Sequence, residues 1–212
     1  MTAGVVTFSN QIGANGGAIA RAVAEKLRYR YYDWEILSQA AAEAGVSPEV
    51  VAVAAAERAP TFIERMMRRL ASASETEDAQ PAAPGQRQSI LTSDDYRQFI
   101  EHVVRELADR GDAVIVGHAG QAILRDRAGV LRVLLTGTVE RRAERLAAAQ
   151  GVPAEQARET VQQSDRQRRD FFRRAYQMDW LDASHYHVCL NTDRLSVDLA
   201  RDMIVACARE IP

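Results

Sequence analysis

A short β-branched and aromatic run, Gly4-Val5-Val6-Thr7-Phe8, leads straight into Ser9-Asn10-Gln11-Ile12-Gly13-Ala14-Asn15-Gly16-Gly17, and residues 18–27 then follow a helical pattern. Strand, glycine-rich loop and helix in immediate succession constrain this chain more than any other stretch. The small residues Gly13, Ala14, Asn15, Gly16, Gly17 and Ala18 let backbone N–H groups close around an anion, while the positive end of the following helix faces it. The segment therefore reads as a phosphate-binding loop. A plain β-to-α turn also uses glycines, but three glycines and an asparagine within residues 13–17 exceed what a turn requires.

The rest of the composition bounds what such a loop can serve. With 212 residues, 47% of them hydrophobic, the chain can bury one substantial core with an inserted subdomain. A net charge of -2 gives no global attraction to nucleic acid or to an anionic membrane, so neither is expected as a partner and anion binding has to be local. No apolar run is long enough to span a bilayer, and the first residues lack the basic and apolar regions of a signal peptide. Cys189 and Cys207, the only cysteines, are expected as reduced thiols, one in a buried strand and one in a late helix. A cytoplasmic protein is the expectation. Among 27 lysines and arginines, Lys26 is the sole lysine.

Beyond the first helix, Tyr31-Tyr32-Asp33 reads as a short strand that places a carboxylate at the carboxyl edge of a sheet, where open parallel sheets bind ligands. Helical pieces are expected over 34–44, 48–58 and 61–70, and a mobile loop over 71–89, so that 47–92 forms a helical insertion. Tyr96, Phe99, Ile100, Val103, Val104 and Leu107 then make one apolar helical stripe behind a Ser93 cap. Continuous apolar runs at 113–117 and 130–135, a short helical stretch at 122–125 and helices from 138 and 153 alternate in the rhythm of a parallel α/β sheet. A last strand at 186–190 and a closing helix at 196–210 complete a single domain over 1–212, with five parallel strands and helices on both faces.

Residues 165–174 are the second chemical signal, with five arginines between Arg166 and Arg174. On a helix Arg166, Arg169 and Arg173 share one face and repel one another unless carboxylates or phosphates lie between them. A solvated face balanced by Asp165, Asp170 and Asp179 is the plainer alternative.

Taken together, the loop 13–20, the pair Tyr32-Asp33, Val116-Gly117, the stretch from Asp165-Arg166 to Asp179-Trp180-Leu181-Asp182, and residues 186–192 resemble the cytidylate kinase-like family of P-loop nucleoside monophosphate kinases. The resemblance implies a P-loop kinase-like three-layer α/β sandwich, ATP with magnesium as phosphoryl donor, and a nucleoside monophosphate such as CMP as acceptor. In that picture residues 13–18 hold the donor phosphates, Asn191 and Thr192 lie near the donor base, and Asp33, Trp34 and His118 face the acceptor. Asp33 orients magnesium-bound water or the acceptor. Residues 153–180 form an Arg-rich lid in which Arg166 and Arg169 neutralise transition-state charge, supported by Arg173. The partner implied is a small nucleotide, and a homodimer is compatible with it.

The chain departs from the motif at telling places. A Walker A loop ends in Gly-Lys-Ser/Thr, with lysine on the terminal phosphates and the hydroxyl on magnesium, whereas Gly17 and Ala18 stand here. Lys26 lies about two and a half turns further along the helix and points away. Members of the resembled family tend to carry Arg or another polar residue near the positions of Asn10, Gly17 and Trp34, and Arg where His118 stands. Losing one preorganised donor costs on the order of a hundred- to a thousandfold in rate. Lid arginines can return about a thousandfold or more. Two other classes therefore stand beside a kinase. One is a nucleotide-binding regulatory protein without turnover. The other is an NAD(P)-dependent short-chain dehydrogenase, for which Asp33 is spaced correctly from Gly13 while a Tyr-x-x-x-Lys pair is absent. His185 and His187 have no carboxylate or cysteine at zinc-ligand spacing, and no metal-ligating residue is assigned.

Overall fold

Among the described residues five short segments assemble into one parallel sheet, with the three apolar inner runs paired on both edges and the outer two on one. The computed structural model describes residues 3–33 and 93–211. Strand β1 (Val5–Asn10) leads to helix α1 (Gly16–Leu27) and strand β2 (Arg30–Tyr32), and after residue 92 come α2 (Ser93–Arg110), β3 (Ala113–Val116) and the short α3 (Gly120–Ile123). Then follow β4 (Val130–Thr136), α4 (Val139–Gln150), α5 (Ala154–Tyr176), β5 (Val188–Asn191) and α6 (Val197–Glu210). The strand order is β2-β3-β1-β4-β5, every pair parallel. The helical pieces expected between 34 and 70, the loop 71–89 and Trp34 lie outside the described residues.

β1 occupies the centre, in register with β3 (Phe8 opposite Val116) and with β4 (Phe8 opposite Val133). Its alternation decides the layers. Val6 and Phe8, with Val114, Val116, Leu131, Val133 and Leu135, face α1 and α6 and enclose Ile19, Val23, Ile204 and Val205 in the main core. On the other face a Cβ at Gly120 would come 3.2 Å from Thr7 Cγ2, so the glycine lets α3 approach the sheet. α2 presents Ile100, Val104 and Leu107 of its expected stripe as buried side chains. α4 and α5 pack on each other through Ala143, Leu146, Ala157 and Val161.

Local chemistry sets the ends of these helices. α1 stops where Arg28 turns left-handed, its N–H donating to the carbonyls of Ala24 and Glu25. Lys26 is exposed in the last turn. Thr138 caps α4, and Ser196 Oγ accepts the Leu199 N–H at 3.1 Å to cap α6.

Two expectations are corrected in detail. The last strand begins at Val188 rather than 186, because Ala183–His185 closes a 3₁₀ turn that carries Tyr186 into the core first. Cys189 is exposed, since β5 is an edge strand and buries Leu190 instead. His185 and His187 consequently share no strand face; His187 Nδ1 accepts the Arg132 N–H at 3.2 Å.

Candidate functional site

The loop leaves β1 at its carboxyl end and turns tightly. Gln11 N–H donates to Leu135 O at 3.0 Å, and Ala14 N–H donates to Gln11 O at 3.1 Å. Asn15, left-handed at φ 58°, stands at the cap of α1 without a side-chain cap hydrogen bond. The amides of Gly16, Gly17 and Ala18 belong to the first helical turn and have no intrahelical acceptor by position. Uncapped donors and the helix dipole therefore point to the same spot beyond the sheet.

The three glycines do different work. Gly13 has φ +78°, and a Cβ there would lie 2.4 Å from the Arg142 carbonyl oxygen. At Gly16 a Cβ would lie 2.3 Å from Asn10 Cγ. Gly17 is open: the nearest atom to its would-be Cβ is the Tyr31 hydroxyl, 3.9 Å away. Space for a side chain exists where a Walker lysine would stand.

Three arginines outside the expected set surround the loop. Arg142, 1% exposed, donates from Nε to Gly137 O at 2.8 Å and from Nη1 to Ile12 O at 3.4 Å, and grips Asp165 with both Nη atoms at 3.0 and 2.7 Å. Gln11 joins them, Nε2 donating to Asp165 Oδ2 at 3.2 Å while Oε1 accepts the Gly137 N–H at 3.2 Å. Arg145 bridges Gly13 O at 3.3 Å to Thr192, reaching its Oγ1 at 3.2 Å and its carbonyl at 2.6 Å. Arg168 donates to the carbonyl of Asn10 and lies 5.0 Å from the Trp180 ring centre. Their helical stripes carry the signal: Arg142 shares a face with Leu146, and Arg168 with Val161, Ser164 and Phe172, all buried.

The expected residues divide accordingly. Arg166 and Arg173 are exposed and Arg169 is half-buried, and none of the three makes an ion pair among the described residues. Arg168 is the arginine that α5 turns toward the loop. Thr192 is fully buried, with Oγ1 donating to Thr136 O at 3.0 Å, whereas Asn191 is exposed and caps its own turn by accepting the Asp193 N–H at 2.9 Å. Asp33 pairs with Arg21 at 3.0 Å. His118 follows Gly117 beyond β3, half-buried and left-handed at φ 53°. The loop, Thr192, Asp165 and Arg168 thus meet on one side, and Asp33 approaches Gly17 from the other through Tyr31.

Burial, helped by Asp33, raises the Tyr31 phenol above its ordinary value. Among the described residues no group of three His, Cys, Asp or Glu is arranged to hold a metal, and Ala18 brings no hydroxyl to the loop. Among the described residues the loop offers magnesium no protein cage, which suits an ion carried by the phosphates of a bound nucleotide.

A model of the cytidylate kinase-like family matches residues 5–194, from the first residue of β1 to beyond Thr192. The chain belongs to the cytidylate kinase-like family. Two proteins named cytidylate kinase are similar to this family member over part of their lengths. That of Aeropyrum pernix is 35% identical over 111 residues, 52% of this chain and 63% of that protein. That of Methanopyrus kandleri is 28% identical over 107 residues, 47% and 55% of the two lengths. The matched region thus spans less than two thirds of either relative. Among solved structures, an uncharacterized protein from Eubacterium ventriosum superposes with a TM-score of 0.65 at 19% identity, covering 96% of this chain and 97% of that one. A gluconokinase from Sinorhizobium meliloti gives 0.53 at 14% identity, with 98% and 92% covered. At such identities the likeness is one of fold, and the cytidylate kinase-like chain has an α/β kinase-like fold.

Proposed function

We propose that this protein is a nucleotide kinase that moves the γ-phosphoryl group of ATP onto a nucleoside monophosphate of the cytidylate type. The observation that carries the reading is the uncapped first turn of α1, whose Gly16, Gly17 and Ala18 amides converge beyond β1 while Arg145 and Arg168 reach the same loop. Family membership and the two partly matching cytidylate kinases support the same choice. In the reaction an acceptor phosphate oxygen forms a bond to the γ-phosphorus. The bond from that phosphorus to the β–γ bridging oxygen breaks, and ADP leaves with the electron pair.

The chain's own groups bind and orient. Backbone donors of residues 13–18 hold the donor phosphates, and Thr192, with Asn191 beside it, lies toward the donor base. Arg168 neutralises developing charge from the inner face of the lid, with Arg166, Arg169 and Arg173 closing over the nucleotide. Asp33 and His118 face the acceptor, and the family resemblance adds Trp34 to the acceptor contacts. Magnesium would come with ATP and would neutralise part of its phosphate charge. A small nucleotide is the partner and the cytoplasm the location; among the described residues no helix is long and apolar enough to cross a membrane.

One observation favours a second reading. Gly17 and Ala18 put no cation or hydroxyl on the loop, so a nucleotide-binding protein without turnover fits the same fold. Calorimetric titration with MgATP and CMP, followed by a coupled assay for ADP with each nucleoside monophosphate, separates the two. ADP release dependent on one acceptor is the expected outcome. MgATP binding with no turnover for any acceptor assigns the protein to the binding class, and absence of MgATP binding ends both readings.

A further inference from the structure

Position 17 is an open place on α1, and the groups that surround it form a cluster that the family resemblance does not account for. Arg21 lies one turn further along the same helical face. Its guanidinium carbon is 4.3 Å from the centre of the Tyr31 ring, and its Nη2 is 3.0 Å from Asp33 Oδ2. The Tyr31 hydroxyl interacts with both Arg21 and Asp33, and it is the atom nearest a Cβ at Gly17, at 3.9 Å. Arginine, aromatic ring, carboxylate and the open helix position therefore share one small volume beside the first turn of α1.

The chemistry of that volume is unusual for a mere surface ion pair. Side chains on a helix lean toward its N-terminus, which here is the phosphate loop. The Arg21 side chain is 60% exposed and that of Asp33 18%, so the carboxylate is held against the protein while the guanidinium stands open to an incoming phosphate. A guanidinium offers two parallel donors to phosphate oxygens. The Tyr31 ring, beneath it, limits the directions in which it can move.

We infer that Arg21 supplies the phosphate-neutralising cation that position 17 lacks: Tyr31 and Asp33 hold its guanidinium beside the loop, and it passes to a phosphate oxygen of the nucleotide bound there. Its transfer also releases the Asp33 carboxylate toward the acceptor. The inference rests on the reading of residues 13–18 as a nucleotide phosphate site.

The test is a compensation experiment on the full chain with four variants: Arg21→Ala, Arg21→Lys, Gly17→Lys, and Arg21→Ala combined with Gly17→Lys. Inorganic tripolyphosphate and MgATP are titrated calorimetrically, and ADP release is followed with CMP. Arg21→Ala is expected to weaken tripolyphosphate binding about tenfold or more and to lower kcat/KM on the order of a hundredfold, with an unchanged melting temperature. Lysine at 17, for which there is room, restores most of the loss in the Arg21→Ala background, a rescue that a merely structural arginine would not show. Arg21→Lys is intermediate. Wild-type affinity for tripolyphosphate in Arg21→Ala overturns the inference, as does a loss that Gly17→Lys leaves uncorrected. If wild-type protein turns over no acceptor yet Arg21→Ala still weakens tripolyphosphate binding, the kinase reading falls and the inference stands. If wild-type protein binds neither anion, both fall together.

Discussion

Arg142 is the one charged side chain that is buried among the described residues, and it holds Asp165 of α5 against the turn that follows β4. A buried pair broken on one side leaves an uncompensated charge, typically costing about 3–5 kcal/mol. Arg142→Ala is expected to lower the urea midpoint by a correspondingly large amount. Replacing both partners with apolar residues, Arg142→Met and Asp165→Leu, should cost much less, which a double-mutant cycle measures. The glycines give a second contrast. Gly13→Ala pushes a Cβ onto the Arg142 carbonyl in a left-handed backbone and should destabilise by about 2 kcal/mol or more. Gly17→Ala, in an open helical position, should be neutral or gain up to about 1 kcal/mol. Thermal melts of the two variants check both signs. At this scale the loop was legible because small residues between a strand and a helix have few other uses. Arg142, Arg145 and Arg168 were not, because a run of arginines shows charge while the face that turns inward is set by the packing of Leu146, Val161 and Phe172.

Helix α5 is fastened at its end by an aromatic cluster. Phe172 stacks on Trp180 with ring centres 6.2 Å apart, and the Tyr186 hydroxyl donates to the Trp180 carbonyl at 2.6 Å. Burial pushes the Tyr186 phenol up to about 12 from 10.0. A phenol whose folded value lies above its unfolded value contributes stability that is fully present below pH 10 and is lost as pH rises toward 12. The loss is on the order of 3 kcal/mol. Urea unfolding at pH 9 and pH 11.5 should show this alkaline decline in the wild type and a shallower one in Tyr186→Phe. A separate cap prediction concerns α6. Ser196→Ala removes the acceptor of the Leu199 N–H and should cost about 1 kcal/mol, read as a shift in urea midpoint. Element order and type were legible from apolar runs such as 113–117, yet the start of β5 was not. Tyr186 looks like a strand residue by composition, and only its bond to Trp180 shows that it belongs to the turn before.

For the whole molecule, the sheet order places β1, β3 and β4 inside and β2 and β5 at the edges. Hydrogen exchange should follow that order, with amides of Val5–Asn10 and Val130–Thr136 opening only on global unfolding and those of Arg30–Tyr32 exchanging earlier. Equal protection of β2 and β1 would contradict it. Strand order itself could not be read from the chain, since sequence rhythm specifies parallel crossovers but not which edge each new strand joins. Lys26, exposed in the last turn of α1, is the chain's sole lysine and lies about 15 Å along the helix from Gly16. Any reagent that seeks lysine side-chain amines, whether an acyl donor, a fluorescent ester or an aldehyde crosslinker, therefore has one place to attach, and that place is at the far end of the helix that opens on the loop.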